Sequence, residues 1–246
     1  MIFSINIKIV YHKFRLAWYR IKRFVLGFVR HLCESFGIYY LSKPARYKMD
    51  DKLSDYLPSH GVFIEAGAAD GFLESNTYYL EKRKDWSGIL IEPVPNLYQT
   101  CIKERPKSKV FNCALVSHDF NGETVLLKQG SLMSTVAGAL REKEAEHLKK
   151  AGYFYGTNAA DIEASARTLT SVLKEAGITQ VEFFSLDVEG YELKVLQGLD
   201  FNVCKPLYML IEFLDEAKRH ETETYIAPHY KFIRKLSKRD YLYQAK

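Results

Sequence analysis

The chain has 246 residues, of which 47% are hydrophobic and 26% charged, a composition typical of a globular protein with one or two domains. No apolar run approaches the roughly 18 residues that a membrane-spanning helix needs. The four cysteines lie far apart and form no C-x-x-C pair. Their spacing fits neither a zinc site nor a dense disulfide framework, so we expect buried free thiols, a reducing setting and a cytoplasmic protein.

The net charge of +5 comes from the N-terminal segment. Residues 1–30 contain seven lysines and arginines and no acidic residue, so the rest of the chain carries a net charge of −2, which is +5 less +7. A nucleic-acid-binding domain would need a basic face of its own. We therefore expect no nucleic-acid partner for the main domain.

Residues 1–45 are predicted to form a basic amphipathic helical arm that ends in a linker at Ser42-Lys43-Pro44, and residues 46–246 the main domain. A basic helix with an aromatic apolar face can lie in a membrane interface, so peripheral membrane contact through residues 8–32 is one interpretation. Packing of that face on the main domain, or on a second copy of it, is the other. The predicted apolar face comprises Val10, Phe14, Trp18, Ile21, Val25, Phe28 and Leu32, and the opposite side Arg15, Lys22, Arg23 and Arg30.

From about residue 50 onward, short apolar runs alternate with helical patterns, which is typical of an α/β fold. We expect a mostly parallel sheet with helices on both faces, and ligands at the carboxyl ends of its strands. A polar hairpin is predicted around residues 121–122 and a charged helix near 139–150. The predicted strands are 62–64, 89–91, 110–116, 181–186 and 207–213, and the predicted helices 75–84, 95–105, 168–176 and 190–197.

The turn after the first strand carries carboxylates as well as glycines. It reads Glu65-Ala66-Gly67-Ala68-Ala69-Asp70-Gly71, which differs from the dinucleotide pattern G-x-G-x-x-G. Carboxylates would repel a pyrophosphate, but they suit a ligand with an ammonium and a sulfonium, such as S-adenosylmethionine. Gly67 would let the backbone approach that ligand closely.

Two further strand ends are acidic. Glu92 ends the second strand, where a carboxylate can accept hydrogen bonds from both hydroxyls of a ribose. Asp187 and Glu189 follow the buried fourth strand, and Gly190 opens the next helix. Capping of that helix by Asp187 is the structural alternative. As a pair, however, these acids indicate a functional role at the centre of the cleft.

Two stretches give the chain a family resemblance. The first contains Asp70-Gly71-Phe72 and Ser75-Asn76-Thr77 and leads to Ile91-Glu92-Pro93. The second is 186–198, which begins Leu186-Asp187-Val188-Glu189-Gly190-Tyr191-Glu192. In both stretches the chain resembles the FkbM-type methyltransferases. The resemblance covers about residues 58–243. It implies a Rossmann-like class I methyltransferase fold, S-adenosylmethionine as donor, and usually O-methylation of a glycan, lipid-linked or natural-product acceptor. The donor site that it implies comprises Glu65, Gly67, Ala68, Asp70, Gly71, Asn76, Glu92 and Pro93, with Asp187 close by and Ala114 and Leu115 flanking the adenine.

One departure concerns the end of the sheet. Residues 241–243 resemble the sixth strand, which leaves little sequence for the family's usual seventh strand. Either the sheet is shortened or the C-terminus is truncated. The basic arm lies outside the shared region, so the resemblance implies nothing about it.

A hydroxyl acceptor needs alignment with the donor carbon and benefits from a base. The candidate bases are Asp187, Glu189 and Glu212, and the irregular segment 130–167 either covers the acceptor or is a surface insertion. A divalent metal on Asp187, Glu212 and Asp215 is a less favoured possibility. A non-catalytic binding or scaffold protein tethered by the arm is the alternative function. A nicotinamide-dependent oxidoreductase is disfavoured by the missing G-x-G-x-x-G.

Overall fold

The computed structural model describes residues 18, 21, 25–128, 130, 134–140, 145–146, 148–149 and 161–246. Within them, the helices are α1 (25–35), α2 (Met49–Leu53), α3 (Tyr78–Arg83), α4 (Pro95–Glu104), α5 (Leu169–Ala176), α6 (Glu192–Gln197) and α7 (Glu216–Ile226), and a 3-10 turn covers Arg46–Lys48. The strands are β1 (Val62–Ala66), β2 (Ser87–Ile91), β3 (Lys109–Phe111), β4 (Ala114–Leu115), β5 (Thr124–Lys128), β6 (Thr135–Val136), β7 (Asp161–Arg167), β8 (Phe183–Leu186), β9 (Tyr208–Glu212), β10 (Tyr230–Lys235) and β11 (Asp240–Ala245).

The main sheet has seven strands in the order β10-β11-β9-β8-β1-β2-β3, and β11 runs in the direction opposite to the other six. Successive residues of β1 enter different apolar clusters. Phe63 packs with Leu53 and Trp86, whereas Ile64 packs with Val172 on the other face. Both faces are therefore covered, as buried parallel strands require. The predicted α/β fold is confirmed.

The prediction for the C-terminal strands is wrong. Residues 241–243 belong to β11, the seventh strand of the main sheet, which is inserted between β9 and β10. The strand that was not predicted from the sequence is β10, at the edge of the sheet. Only Tyr230 of β10 is buried, and Lys231, Arg234 and Lys235 interrupt its apolar residues, so it lacks the apolar run that marks a central strand in sequence.

A second, four-stranded sheet has the order β4-β7-β5-β6. The predicted strand 110–116 divides into β3, in the main sheet, and β4, in the second sheet. The hairpin predicted at 121–122 is wrong, because β4 and β5 both pair with β7 and not with each other. Of the helix predicted near 139–150, residues 139–140 form a turn, residues 145–146 and 148–149 are helical, and the others lie outside the described residues.

Local signals placed α5 correctly. The Thr168 hydroxyl accepts a hydrogen bond from the Ser171 amide at 3.2 Å and so caps the helix. Gly177 ends it with a φ of +72°. The three deeply buried cysteines, Cys101, Cys113 and Cys204, and the partly exposed Cys33 are free thiols.

Helix α1 packs on the main domain through its polar side. The buried guanidinium of Arg30 lies 3.5 Å from the centre of the Phe72 ring and forms an ion pair with Glu104 at 2.7 Å. The Tyr78 hydroxyl donates to Glu34 at 2.8 Å. Ser42, predicted to lie in a linker, is buried and also donates to Glu34, at 2.7 Å.

The apolar side of the arm faces away from the main domain. Trp18, Ile21, Val25, Phe28 and Leu32, all from the predicted apolar face, are exposed. For these described residues, the expectation that the apolar face packs on the domain is wrong. None of the described helices is both long enough and apolar enough to span a membrane.

A buried arginine supports the turn after β1. Arg105, which follows α4, is fully buried, and its guanidinium forms ion pairs with Glu81 at 2.9 Å and with Glu65 at 3.3 Å. It also donates to the Gly71 carbonyl at 3.1 Å and to the Thr77 hydroxyl at 2.8 Å. Five donors in a fixed fork suit this arrangement, whereas a lysine could not span it.

We expect Arg105→Met to lower the free energy of unfolding by about 3–5 kcal/mol, because the substitution leaves two buried carboxylates without a counter-charge. Lys107→Met is the matched control. Lys107 pairs with Asp85 on the surface at 3.2 Å, and its loss should change stability by less than about 1 kcal/mol. Urea unfolding of both variants measures the difference. Equal small losses would show that the buried ion pairs contribute nothing.

Candidate functional site

The carboxyl ends of β8, β1, β2 and β3 lie side by side and border an open cleft of about 950 Å³. The small sheet closes one side of the cleft through β5 and β6. Of the described residues, those predicted from sequence and found lining it are Glu65, Gly67, Asn76, Glu92, Pro93, Ala114, Leu115, Asp187 and Glu189. Four other predicted residues do not line it: Ala68, Asp70, Gly71 and Glu212.

Gly67 is required by a neighbouring strand end. Its φ is +84°, and a Cβ atom there would lie 1.9 Å from the backbone carbonyl oxygen of Asp187. The sequence predicted a close approach at this glycine, but to a ligand. The close approach observed in the structure is to the protein's own backbone, because β1 and β8 are adjacent.

The carboxylate of Glu65 is held by the turn that it precedes. It accepts hydrogen bonds from the Ser75 hydroxyl at 2.8 Å, the Thr77 hydroxyl at 2.7 Å and the Asn76 amide at 2.9 Å, in addition to the Arg105 contact. Glu65 is also buried. This arrangement fixes the conformation of residues 75–77 and directs the side-chain amide of Asn76 to the Ser185 hydroxyl, 3.0 Å away.

Asp70 acts within the same turn. Its carboxylate accepts from the backbone amides of Phe72 at 3.1 Å and Leu73 at 2.7 Å. These hydrogen bonds satisfy two amides that no helix or strand pairs. Asp70 therefore shapes the loop from behind the cleft.

Glu92 lies at the end of β2 with its carboxylate buried. One oxygen accepts from the Ala69 amide and the other from the Val94 amide, each at 2.8 Å. Burial raises the pKa of Glu92 from 4.5 to about 7, against the lowering effect of these two hydrogen bonds. Each oxygen keeps lone-pair capacity for a further donor from the cleft.

Three carboxyl groups meet at the other end of the cleft. Burial, followed by the charges of Glu212 and Glu189, holds the pKa of Asp187 well above its ordinary value, and a hydrogen bond between Asp187 and Glu212 adds to the effect. Burial and Glu212 likewise raise the pKa of Glu189. The structure thus brings together all three predicted bases. Glu212 is hydrogen-bonded to Asp187 and also lies 3.6 Å from Arg239.

Backbone strain accumulates at the cleft. Ala69, Glu74 and Glu189 line it, and all three are non-glycine residues with a positive φ, of 49°, 62° and 52°. Such conformations cost about 1–3 kcal/mol each and persist where the surrounding structure enforces them. They place the Glu74 and Glu189 carboxyl groups at the acidic end.

Several residues that line the cleft were not predicted individually from the sequence. Ser134 and Val136 come from the irregular segment 130–167, and Thr135 between them donates to the Glu189 carbonyl at 3.0 Å. Lys218 of α7 donates to the Gly190 and Ala139 carbonyls and so joins this segment to the loop after β8. No short motif marks these contacts, since they join positions 28, 54 and 79 apart in sequence. Others not predicted are Leu73, Glu74, Leu127 and Tyr191.

Within the described ranges, no group of three or more histidine, cysteine, aspartate or glutamate side chains has the geometry to hold a metal ion. Asp215, considered as a ligand from the sequence, caps α7 by accepting from the Ala217 amide at 2.9 Å. Capping is the commoner role of an aspartate at that position.

Comparisons with solved structures returned proteins of low sequence identity. A methyltransferase FkbM from Methylobacillus flagellatus KT has 16% identity and a TM-score of 0.49, covering 82% of this chain and 47% of that one. A TehB-like SAM-dependent methyltransferase from Corynebacterium glutamicum has 8% identity and a TM-score of 0.44, covering 89% and 99%. TrmK of M. capricolum, solved with S-adenosyl-homocysteine, has 7% identity and a TM-score of 0.40, covering 82% and 67%.

This chain therefore spans about half the length of the FkbM protein of M. flagellatus. No curated protein matches it in sequence. The model of the methyltransferase FkbM domain matches residues 65–243, from the cleft glutamate of β1 to Tyr243 within β11. On this match, which covers well over half of its residues, the chain belongs to the FkbM methyltransferase family.

Proposed function

We propose that the protein transfers a methyl group from S-adenosylmethionine to a hydroxyl of a glycan, lipid-linked or natural-product acceptor. The observation that carries the proposal is one cleft with two chemically different ends. A buried glutamate at the end of β2 adjoins an apolar wall at one end, and carboxyl groups of raised pKa lie at the other. Family membership supports methyl transfer in general, and the hydroxyl acceptor is our inference from the carboxyl groups.

The order of groups along the strand ends fits the donor. Asp187 follows β8, Gly67 follows β1, Glu92 follows β2 and Cys113 lies just after β3. An elongated ligand lying along this edge would place its ammonium and sulfonium near Asp187 and its ribose hydroxyls at Glu92. Its adenine would then lie on the apolar wall of Ile91, Cys113, Ala114 and Leu115.

Glu65 has a supporting role in this proposal. All of its carboxylate contacts described above are to the turn and to Arg105, so we assign it to holding the turn in shape. Gly67 and Asn76 then present backbone and amide groups to the donor. Preorganisation of this kind avoids rearrangement when the ligand binds.

S-adenosylmethionine supplies a methyl carbon activated by its sulfonium: a carbon–oxygen bond forms to the acceptor as the carbon–sulfur bond breaks. The protein aligns the acceptor oxygen and takes up its proton. The Asp187 carboxylate is our first candidate for the proton, with Glu189 second and Glu212 third. A raised pKa makes a carboxylate a stronger base than usual. The clustering of the three carboxyl groups therefore favours removal of the acceptor proton.

Donor affinity should depend on the ionisation of Glu92. A carboxylate accepts from both ribose hydroxyls, whereas a carboxylic acid donates one proton, so binding should weaken as the pH falls through the Glu92 pKa of about 7. We expect titration calorimetry with S-adenosylmethionine to give a Kd about tenfold higher at about pH 6 than at about pH 8. Glu92→Gln should weaken binding and remove the part of this dependence that comes from Glu92.

Glu192→Gln is the matched control. Glu192 is also buried, accepts from a backbone amide, and has its pKa raised by burial to about 7, but it does not line the cleft. Its variant should keep the affinity and pH dependence of the parent. Absence of donor binding to the folded parent protein would reject the methyltransferase proposal. Binding without turnover on any hydroxylated acceptor would favour the scaffold function.

Asp187→Asn should lower kcat by at least about 100-fold, because the amide cannot take the acceptor proton. Methyl transfer from radiolabelled donor to an acceptor found by screening measures the loss, and mass spectrometry of the product identifies the methylated atom. In the parent, kcat should rise with pH, since the Asp187 pKa is raised and its carboxylate is the active form.

The control for this variant is Asp85→Asn, which changes a highly exposed aspartate. It should leave kcat unchanged. If Asp187→Asn retains full turnover, Asp187 is not the base and Glu189 becomes the candidate. A product methylated on nitrogen would contradict the hydroxyl acceptor while leaving donor binding intact.

A further inference from the structure

The arm has an exposed apolar surface. Because the polar side of α1 packs on the main domain, this apolar surface faces away from it. Trp18, which is helical, is 62% exposed; in α1, Phe28 is 66% exposed and Val25 and Leu32 are about half exposed. Single exposed apolar residues are common, but aromatic and aliphatic side chains clustered along one helix side indicate an interaction surface.

The docking contacts prevent the helix from turning this surface inward. Arg30 and Glu34 face the main domain, where they contact Glu104 and the Tyr78 hydroxyl at 2.7 and 2.8 Å. Rotating the helix to bury Phe28 would move the Arg30 guanidinium off Phe72 and away from Glu104. The polar side of the helix is therefore committed to the protein, and the apolar side is free for a partner.

Charge identifies the kind of partner. Residues 1–30 contain seven lysines and arginines and no acidic residue. Arg30 is paired with Glu104, which leaves six other basic residues in this segment. Two such arms placed face to face would repel each other, whereas an anionic lipid surface attracts each basic residue. Tryptophan and phenylalanine on the apolar side of a basic helix are suited to the boundary between headgroups and acyl chains.

We propose that the arm binds the protein to the surface of a membrane that contains anionic phospholipid, with the side of Trp18, Val25, Phe28 and Leu32 inserted among the headgroups. This inference does not depend on the methyltransferase activity. It commits the apolar side to lipid rather than to a second copy of the chain.

The test uses the full-length protein and vesicles of phosphatidylcholine, with or without phosphatidylglycerol. We expect co-sedimentation with the mixed vesicles, weakened by salt and much reduced on phosphatidylcholine alone. Tryptophan fluorescence gives an independent readout, because Trp86, the second of the two tryptophans, is fully buried. Binding should therefore shift the emission to shorter wavelength through Trp18, and Trp18→Phe should abolish the shift.

Leu32→Glu should lower the vesicle partition coefficient at least about tenfold, since it removes an inserted apolar side chain and adds a negative charge. Leu126→Glu is the matched control: Leu126 of β5 is 42% exposed, close to the 49% of Leu32, but lies outside the arm. Phe28→Ala provides a milder second variant should Leu32→Glu perturb folding. Circular dichroism and donor binding check that each variant is folded.

Equal vesicle binding by Leu32→Glu and Leu126→Glu would overturn the proposal. Absence of binding of the parent protein to the mixed vesicles would also overturn it. A dimer in solution that Leu32→Glu converts to a monomer, without vesicle binding by the parent, would assign the surface to a second copy instead. Failure of donor binding with intact vesicle binding would reject only the proposed enzymatic function. The two proposals therefore fail separately.

Discussion

The buried guanidinium of Arg105 is the contact on which the candidate donor site depends. It lies under the turn after β1, where it meets Glu65 and Glu81 and donates to the Gly71 carbonyl. These charge pairs hold the turn, and the hydrogen bonds of Glu65 extend that support to Ser75, Asn76 and Thr77 beside the cleft.

Carboxylates in this molecule have two distinct tasks that residue type alone does not separate. Glu65 and Asp70 accept hydrogen bonds from donors of the turn that follows β1. Glu92 and Asp187 have raised pKa values: at Glu92 burial outweighs the backbone hydrogen bonds that it accepts, and at Asp187 burial is reinforced by the charges of Glu212 and Glu189. A strongly bound carboxylate stabilises a loop, whereas one with an elevated pKa can exchange a proton near neutral pH.

The sequence predicted what depends on contacts local in the chain. Apolar runs located the central strands, a threonine and a glycine bounded α5, and the strand-end rule selected Glu92 and Asp187. It failed where distant pairing decides the structure. Strand β4 leaves the main sheet to pair with β7, about 50 residues later, and no local pattern distinguishes it from a continuation of β3.

The same distinction between local and distant contacts explains which site residues could be predicted from the sequence. Glycine at position 67 was noticed for its conformational freedom, but the reason for it is the Asp187 carbonyl on the adjacent strand, which only the strand order reveals. Ser134 and Val136 reach the cleft because Thr135 and Lys218 attach their segment to the loop after β8. Side-chain contacts of that kind follow from the assembled fold.

The arm shows how a buried charge can determine which surface remains exposed. Burying the arginine of α1 without a partner would cost several kcal/mol, so Arg30 can face the domain only where Glu104 and the Phe72 ring receive it. Phe72 lies between Asp70 and Ser75, within the turn that Arg105 supports from beneath. The docked arm and the candidate donor site thus both contact the turn that follows β1. The charge contacts that hold the arm in place are the reason that its apolar side points outward.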